Sequence, residues 1–355
     1  MAAMTSLDPS QGIVALTAAL VDIESVSGNE QTITDAIEHV LQAIPWLELW
    51  RHHNSLVART TLGRAERVVI AGHVDTVPLH SNLPARDDGE NIHGLGSCDM
   101  KGGVAVGLTL ASTLAEPVRD VTYVFYEAEE VEAERNGLTL ISAVRPEILT
   151  GDFAVLMEPS NARVEAGCQG TLHVDVSTWG RRAHSARSWN GVNAIHAAGE
   201  VLSRLAAYEP RQPVIDGLRY HEGLSAVAIR GGVAGNVIPD ACTVSINYRF
   251  APDRSEAEAV QHIREVFSGL DVAVSDSAPG ALPGLDRPAA SAFVDAVGGE
   301  VKPKFGWTDV SRFSALGIPA VNFGPGNPEL AHTQAEYVPH ADLRSCLDQM
   351  TRWLS

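Results

Sequence analysis

Three short apolar runs rich in β-branched residues, VVIAGHVD (68–75), VTYVFYE (121–127) and FAVLMEP (153–159), are separated by two segments of helical length and composition, GGVAVGLTLASTLA and GLTLISAVRPEIL. Runs that are apolar throughout belong to strands covered on both faces, and strands spaced by helices build an α/β sheet. That pattern limits the fold more than any other feature of the chain. It also predicts where chemistry gathers, because such sheets bind ligands beyond the carboxyl ends of their strands. His73, Asp75, Glu129, Glu130 and Glu158 all fall where a run ends. Ahead of these runs, residues 12–24 and 30–43 repeat apolar positions at helical spacing.

From about Gly170 the pattern changes. TLHVDVSTW alternates strictly, with Leu172, Val174 and Val176 on one face, as a half-buried strand does. A helix is expected near 191–207, then strands GLSAVAIRGG and CTVSINYRF, a helix opened by a Ser255/Glu258 capping box, and a last strand DVAVSD. The order β-α-β-β-α-β resembles a ferredoxin-like α+β sandwich. APGALPGLDRP (278–288) reads as a linker back to the first domain, which gains one more strand in PAVNFG and a terminal helix. At 355 residues two domains are the expectation. The predicted division is a discontinuous catalytic domain, 1–169 and 285–355, with 170–284 inserted.

Charge and cysteine usage exclude several function classes. The net charge of −18 disfavours nucleic acid and anionic membranes as partners. Four cysteines, Cys98, Cys168, Cys242 and Cys346, stand far apart with no CxxC pair, against a disulfide framework or a cysteine-ligated zinc. The start, MAAMTSLDPSQG, has neither a basic nor an apolar leader segment, and no stretch approaches the ~20 apolar residues of a membrane span. A cytoplasmic protein is expected.

The acidic and histidine residues, taken in order, suit a two-zinc hydrolase. His73 and His332 with Asp99, Glu130 and Glu158 supply two imidazoles and three carboxylates, and a carboxylate has the two oxygens needed to bridge ions ~3.5–4 Å apart. Two Zn²⁺ are neutralised by three carboxylates and one hydroxide. In HVD an extended chain puts His73 and Asp75 on one face, so Asp75 can accept from the free ring N–H of His73 and fix its tautomer. Glu129 is then left for proton transfer. Taken singly, each has a plainer reading: a surface His–Asp pair, a solvated acidic loop, an Asp99 helix cap, a loop histidine. Their order and placement argue for the metal site.

GHVDTVP, GSCDMKGG, EAEE, EP and the late AH together resemble the dinuclear zinc amidohydrolases, a family of desuccinylases, deacetylases and carboxypeptidases. The resemblance spans essentially the whole chain. It implies a zinc-exopeptidase-like catalytic domain with a central mixed sheet, and an inserted domain serving dimerisation and closure. It implies His73 and Glu158 on one zinc, His332 and Glu130 on the other, and Asp99 on both, with Co²⁺ possible in one site. Glu129 is then the proton carrier, and the peptide after Asp99 is cis. The resemblance further implies a homodimer in which His184 (RAHSAR) and Asn236 (GNVIP) act in the other subunit's site, His184 on the oxyanion. Arg249 (NYRF) and Arg312 (SRF) match arginines that hold substrate carboxylates, for which guanidinium forks are suited. Thr308 and Asn327 match further substrate contacts.

EAGCQGTL, NYRFAPDRS and GWTDVSRFSALGIPAVNFGPG resemble the desuccinylase branch in particular. This implies a small anionic N-acyl amino acid as substrate, N-succinyl-L,L-2,6-diaminopimelate, cleaved at its amide on the route to lysine. The alternatives are deacetylation of acetylornithine, a dipeptidase or aminoacylase activity, and a non-catalytic binding relative. The filled metal and base positions argue against the last.

Overall fold

The computed structural model describes residues 7–355, so the reading of the chain's start lies partly outside the described residues. The chain divides into two compact units. One comprises Met1–Ala166, Pro283–Lys302 and Arg312–Ser355; the other comprises Gly167–Leu282 with Pro303–Ser311.

The first unit carries the sheet foreseen from the apolar runs. Arg67–His73 lies between Asp120–Tyr126 and Phe153–Leu156, parallel to both, and Ala320–Asn322 continues the parallel set beyond Phe153–Leu156. Antiparallel strands flank this core, making an eight-stranded mixed sheet. After Arg67–His73 the chain adds its next parallel strand on one side and the following one on the other. The carboxyl end of Arg67–His73 is therefore the crevice of a topological switch. Every residue of Asp120–Tyr126 is buried, which accounts for its unbroken apolar character.

Helix Gly102–Thr113 is buried from Gly102 to Ala111, and its small residues let the backbone close on the sheet. A Cβ on Gly103 would lie 2.1 Å from the Met157 carbonyl oxygen. Helix Pro288–Val297, which no sequence pattern announced, starts with proline in its first turn and inserts Phe293 against Trp353 and Phe323 at 4.7 and 5.5 Å.

The second unit is a four-stranded antiparallel sheet in the order Gly223–Gly231, Ala241–Phe250, Gly170–Trp179, Asp271–Ala278. Leu172, Val174, Val176 and Ile246 form its core with Ala198 of helix Ala194–Ala206 and Ile263 of helix Glu256–Val266. The Ser255/Glu258 capping box is present. Pro303–Ser311 is assigned to this unit although the segments on either side of it in sequence belong to the first. Trp307 and Ser311 donate to the Pro279 carbonyl, and the Cys168 thiol faces the Thr308 carbonyl. All four cysteines are buried and unpaired. Among the described residues no helix is long and apolar enough to cross a membrane.

Candidate metal centre

Strand pairing delivers the first candidate ligands. His73 is the last residue of its strand, directly beside Tyr126, and the Met157 N–H bonds to the Ala71 carbonyl. That register brings Glu158 to the same sheet end as His73. Gly324 must be glycine here, because a Cβ would stand 2.2 Å from the Met157 oxygen and 2.6 Å from that of Glu158.

Asp99 comes from the segment entering helix Gly102–Thr113, where Asp99 and Met100 leave helical geometry and the peptide between them is cis. His332 comes from the loop after the turn Pro328–Leu330, with φ 62°.

These residues converge. His73 Nε2 lies 3.1 Å from Asp99 Oδ1 and 4.0 Å from Glu158 Oε1. His332 Nε2 lies 3.4 Å from Asp99 Oδ2 and 2.7 Å from Glu130 Oε1. Donor atoms of His73, Asp99 and Glu158 lie within 4.8 Å of one another, as do those of Asp99, Glu130 and His332, and those of His73, Glu129 and Glu130. Asp99 thus belongs to two groups and turns one oxygen toward each imidazole.

The electrostatics fit a cation. Burial opposes charge on His73, but Asp75, Asp99 and Glu158 outweigh it and hold the imidazolium well above its ordinary pKa. Bonds to Asp99 and Glu130 lift His332 to about 10. For Asp99 burial is overcome by His332 and His73, which hold its carboxyl well below the usual range. The cluster favours positive charge at both imidazoles.

Asp75 departs in detail from expectation. His73 Nδ1 lies 3.1 Å from the backbone carbonyl of Asp75 and 3.4 Å from Oδ1. The carboxylate is already engaged by Ser27 Oγ at 2.7 Å and by the N–H groups of Glu129 and Glu130 at 3.0 and 3.1 Å. Nδ1 therefore faces the Asp75 carbonyl more closely than the carboxylate expected to accept from it. Ala128, at φ 58°, turns the chain so that both amides face Asp75. Glu127 of the same acidic run instead accepts from the Asn54 N–H.

Sequence reasoning missed several supports. Ser27, Lys101 and Glu336 are single residues with no motif around them. Lys101 is buried, donates to the Ile23 carbonyl at 2.7 Å, and is pulled down to about 7 by that burial. Glu336 accepts from the segment that bears Asp99.

Of the remaining candidates, Arg312 belongs to the first unit and donates to Thr139 Oγ1 at 2.7 Å. The Asn327 side chain caps its own turn by accepting from the Glu329 N–H. His184, Asn236, Arg249 and Thr308 belong to the second unit. There His184 pairs with Val237 across a two-strand ladder and the Ser185 N–H bonds to the Asn236 carbonyl, which puts both residues in one small structure. Arg249 sits on the central strand between Gly223 and Thr171. Thr308 is buried.

A family model for peptidase family M20/M25/M40 matches residues 69–355. The chain belongs to this family. A Corynebacterium glutamicum succinyl-diaminopimelate desuccinylase is 47% identical over 353 residues, covering 96% of each chain. A Mycobacterium tuberculosis protein provisionally named succinyl-diaminopimelate desuccinylase DapE is 56% identical over 344 residues, covering 96% of this chain and 97% of the other. In fold the chain is similar to a Staphylococcus aureus tripeptidase (TM-score 0.79, 22% identity, 98% of each chain). It is similar also to the M20 family metallo-carboxypeptidase of Sulfolobus solfataricus (TM-score 0.76, 14% identity, 96% of this chain and 98% of the other). M20 proteins are hydrolytic enzymes, and family membership together with the converging donors assigns this site a metal cofactor.

Proposed function

We propose that the protein is a two-zinc amidohydrolase that cleaves N-succinyl-L,L-2,6-diaminopimelate to succinate and L,L-2,6-diaminopimelate. The observation that carries the two-metal reading is Asp99, whose separate oxygens address His73 and His332. The substrate rests on the names of relatives 56% and 47% identical over nearly the whole chain. His73 and Glu158 would hold one ion, Glu130 and His332 the other, and Asp99 both. When bound, zinc acts as a Lewis acid toward the amide carbonyl and makes water acidic enough to attack near neutral pH.

The chain's own residues supply the proton handling. Glu129 takes the proton of the attacking water on a carboxylate oxygen and returns it to the leaving amine nitrogen. The Ala186 N–H donates to His184 Nδ1 at 3.0 Å, so the neutral ring carries its hydrogen on Nε2. That is the form able to donate to an amide oxyanion. Asn236 would assist, Arg249 and Arg312 would clamp substrate carboxylates, and Thr308 and Asn327 would contact the substrate.

The proposed assembly is a homodimer in which His184 and Asn236 serve the partner's site. Strand Gly223–Gly231 supports it: the strand edges its sheet, and it exposes Val227 and Ile229 around a bulge between Ala226 and Ala228. Such an edge invites pairing with another chain. Four unpaired thiols suit a reducing compartment, and the proposed setting is the cytoplasm.

The test is kcat/KM with zinc added, comparing N-succinyl-L,L-diaminopimelate with N-acetylornithine and a dipeptide. A preference of at least ~10² for the succinyl compound is expected, since buried polar groups reject a substrate lacking their partner by such factors. Equal or greater activity on either other amide would overturn the substrate while leaving the metal chemistry standing.

A further inference from the structure

Glu336 is 2% exposed, and its carboxylate collects three backbone N–H groups from one short segment. Gly96 N donates to Oε2 at 3.1 Å, while Cys98 N and Asp99 N donate to Oε1 at 3.0 and 3.2 Å. The last of these amides belongs to the residue whose carboxylate faces both imidazoles. Gly96 takes φ 75°, and a Cβ there would lie 2.7 Å from Thr76, so the segment is wound tightly around its acceptor.

The main chain of Glu336 reaches both neighbours as well. Its carbonyl accepts from Gly94 N at 3.2 Å and its N–H donates to the Thr333 carbonyl at 3.3 Å, one residue beyond His332. Directly after it, Tyr337–Pro339 pairs antiparallel with Asn91–His93, the strand that leads into the Asp99 segment. The ladder sets the register of the two segments, and the Glu336 carboxylate extends that alignment to Asp99 itself.

We infer that Glu336 is a positioning residue: it locks the Asp99 segment to the His332 segment and so presets the site for its metal ions. The inference rests on the reading of Asp99 and His332 as metal ligands. A carboxylate accepting three amide hydrogens fixes the backbone more firmly than a neutral acceptor would. Supports that orient metal ligands typically contribute 10–100-fold to metal affinity.

Glu336→Gln keeps one acceptor oxygen but sets an amide donor against the Gly96 N–H. Zinc affinity, measured by chelator competition, should fall ~10–100-fold. The visible spectrum of the Co²⁺-loaded variant should change, and kcat should fall more than KM rises. The melting temperature of the metal-free variant supplies the control. If Glu336→Gln only lowers that temperature, with zinc affinity and the Co²⁺ spectrum unchanged, Glu336 is structural and the inference is overturned. Should the variant fail to fold, amide exchange in the metal-free parent decides. Gly96, Cys98 and Asp99 should be strongly protected, and exchange as fast as in exposed loops overturns the inference. A parent that binds no divalent metal would defeat the reading of the site itself, and the inference with it. A parent that binds two ions while Glu336→Gln binds them equally well defeats the inference alone.

Discussion

Ala128 holds a left-handed backbone between a buried strand and two adjacent glutamates, and this lets neighbours in sequence do different work. Glu129 and Glu130 both rest their N–H groups on Asp75, and Glu130 in addition bonds to His332 through its side chain. Glu129→Ala should therefore keep that amide bond and the bound zinc yet lower kcat by at least ~10²–10⁴, the usual worth of a general base. Metal analysis beside steady-state kinetics checks this, and loss of zinc along with turnover would make Glu129 a ligand. Asp75→Ala strips the acceptor from Ser27 and both glutamate amides, so zinc affinity should drop ~10–100-fold. His184→Ala should reduce kcat ~10²–10³-fold with little change in zinc content, read by the same two measurements.

At the scale of elements, the second unit contains a carboxylate whose protonation sets acid stability. Burial raises the pKa of Glu222, but Arg211, the Ala251 N–H and the Tyr248 hydroxyl reverse this and hold it below its ordinary value. A depressed folded pKa contributes stability that is complete above the unfolded value of ~4.3 and is lost as pH falls through the folded one. Glu222→Gln should remove that acid limb and leave buried donors poorly paired, at ~1–3 kcal/mol. Melting curves of parent and variant from neutral pH down to about pH 3 would show whether their difference shrinks with acid, as this requires. The elements most legible in sequence were those with unbroken or strictly alternating apolar runs, such as 68–75, 121–127 and 170–179. Hairpin Glu48–Arg59 escaped because ELWRHHNSLVAR keeps no period, and its strands are only five residues each. Helix Pro288–Val297 escaped because its burial hangs on Phe293 finding Trp353 and Phe323 from distant segments. The residues of the candidate site were legible because a metal restricts residue type and strands restrict placement. Ser27, Lys101 and Glu336 were not, since Ser27 acts on the Asp75 carboxylate from a distant segment and the other two act on backbone groups, and no sequence pattern marks either.

For the whole molecule, the proposed dimer makes a sharp prediction. Glu129→Ala and His184→Ala proteins are each expected to be inactive, but a subunit of the first can lend its His184 to a site of the second. Refolding an equal mixture should restore roughly a quarter of parental activity, because half the dimers are mixed and each has one complete site. An inactive mixture that contains mixed dimers would place His184 in its own subunit's chemistry. Val227→Asp with Ile229→Lys should turn the dimer into a monomer by light scattering without removing zinc. The burial of Cys98, Cys168, Cys242 and Cys346 has its own use. A chain with no accessible thiol is already a blank for labelling. Cysteines introduced at exposed Val144 and Trp189, one in each unit, would be the sole reactive handles. A dye pair on them would turn the enzyme into its own molecular ruler, read with and without substrate.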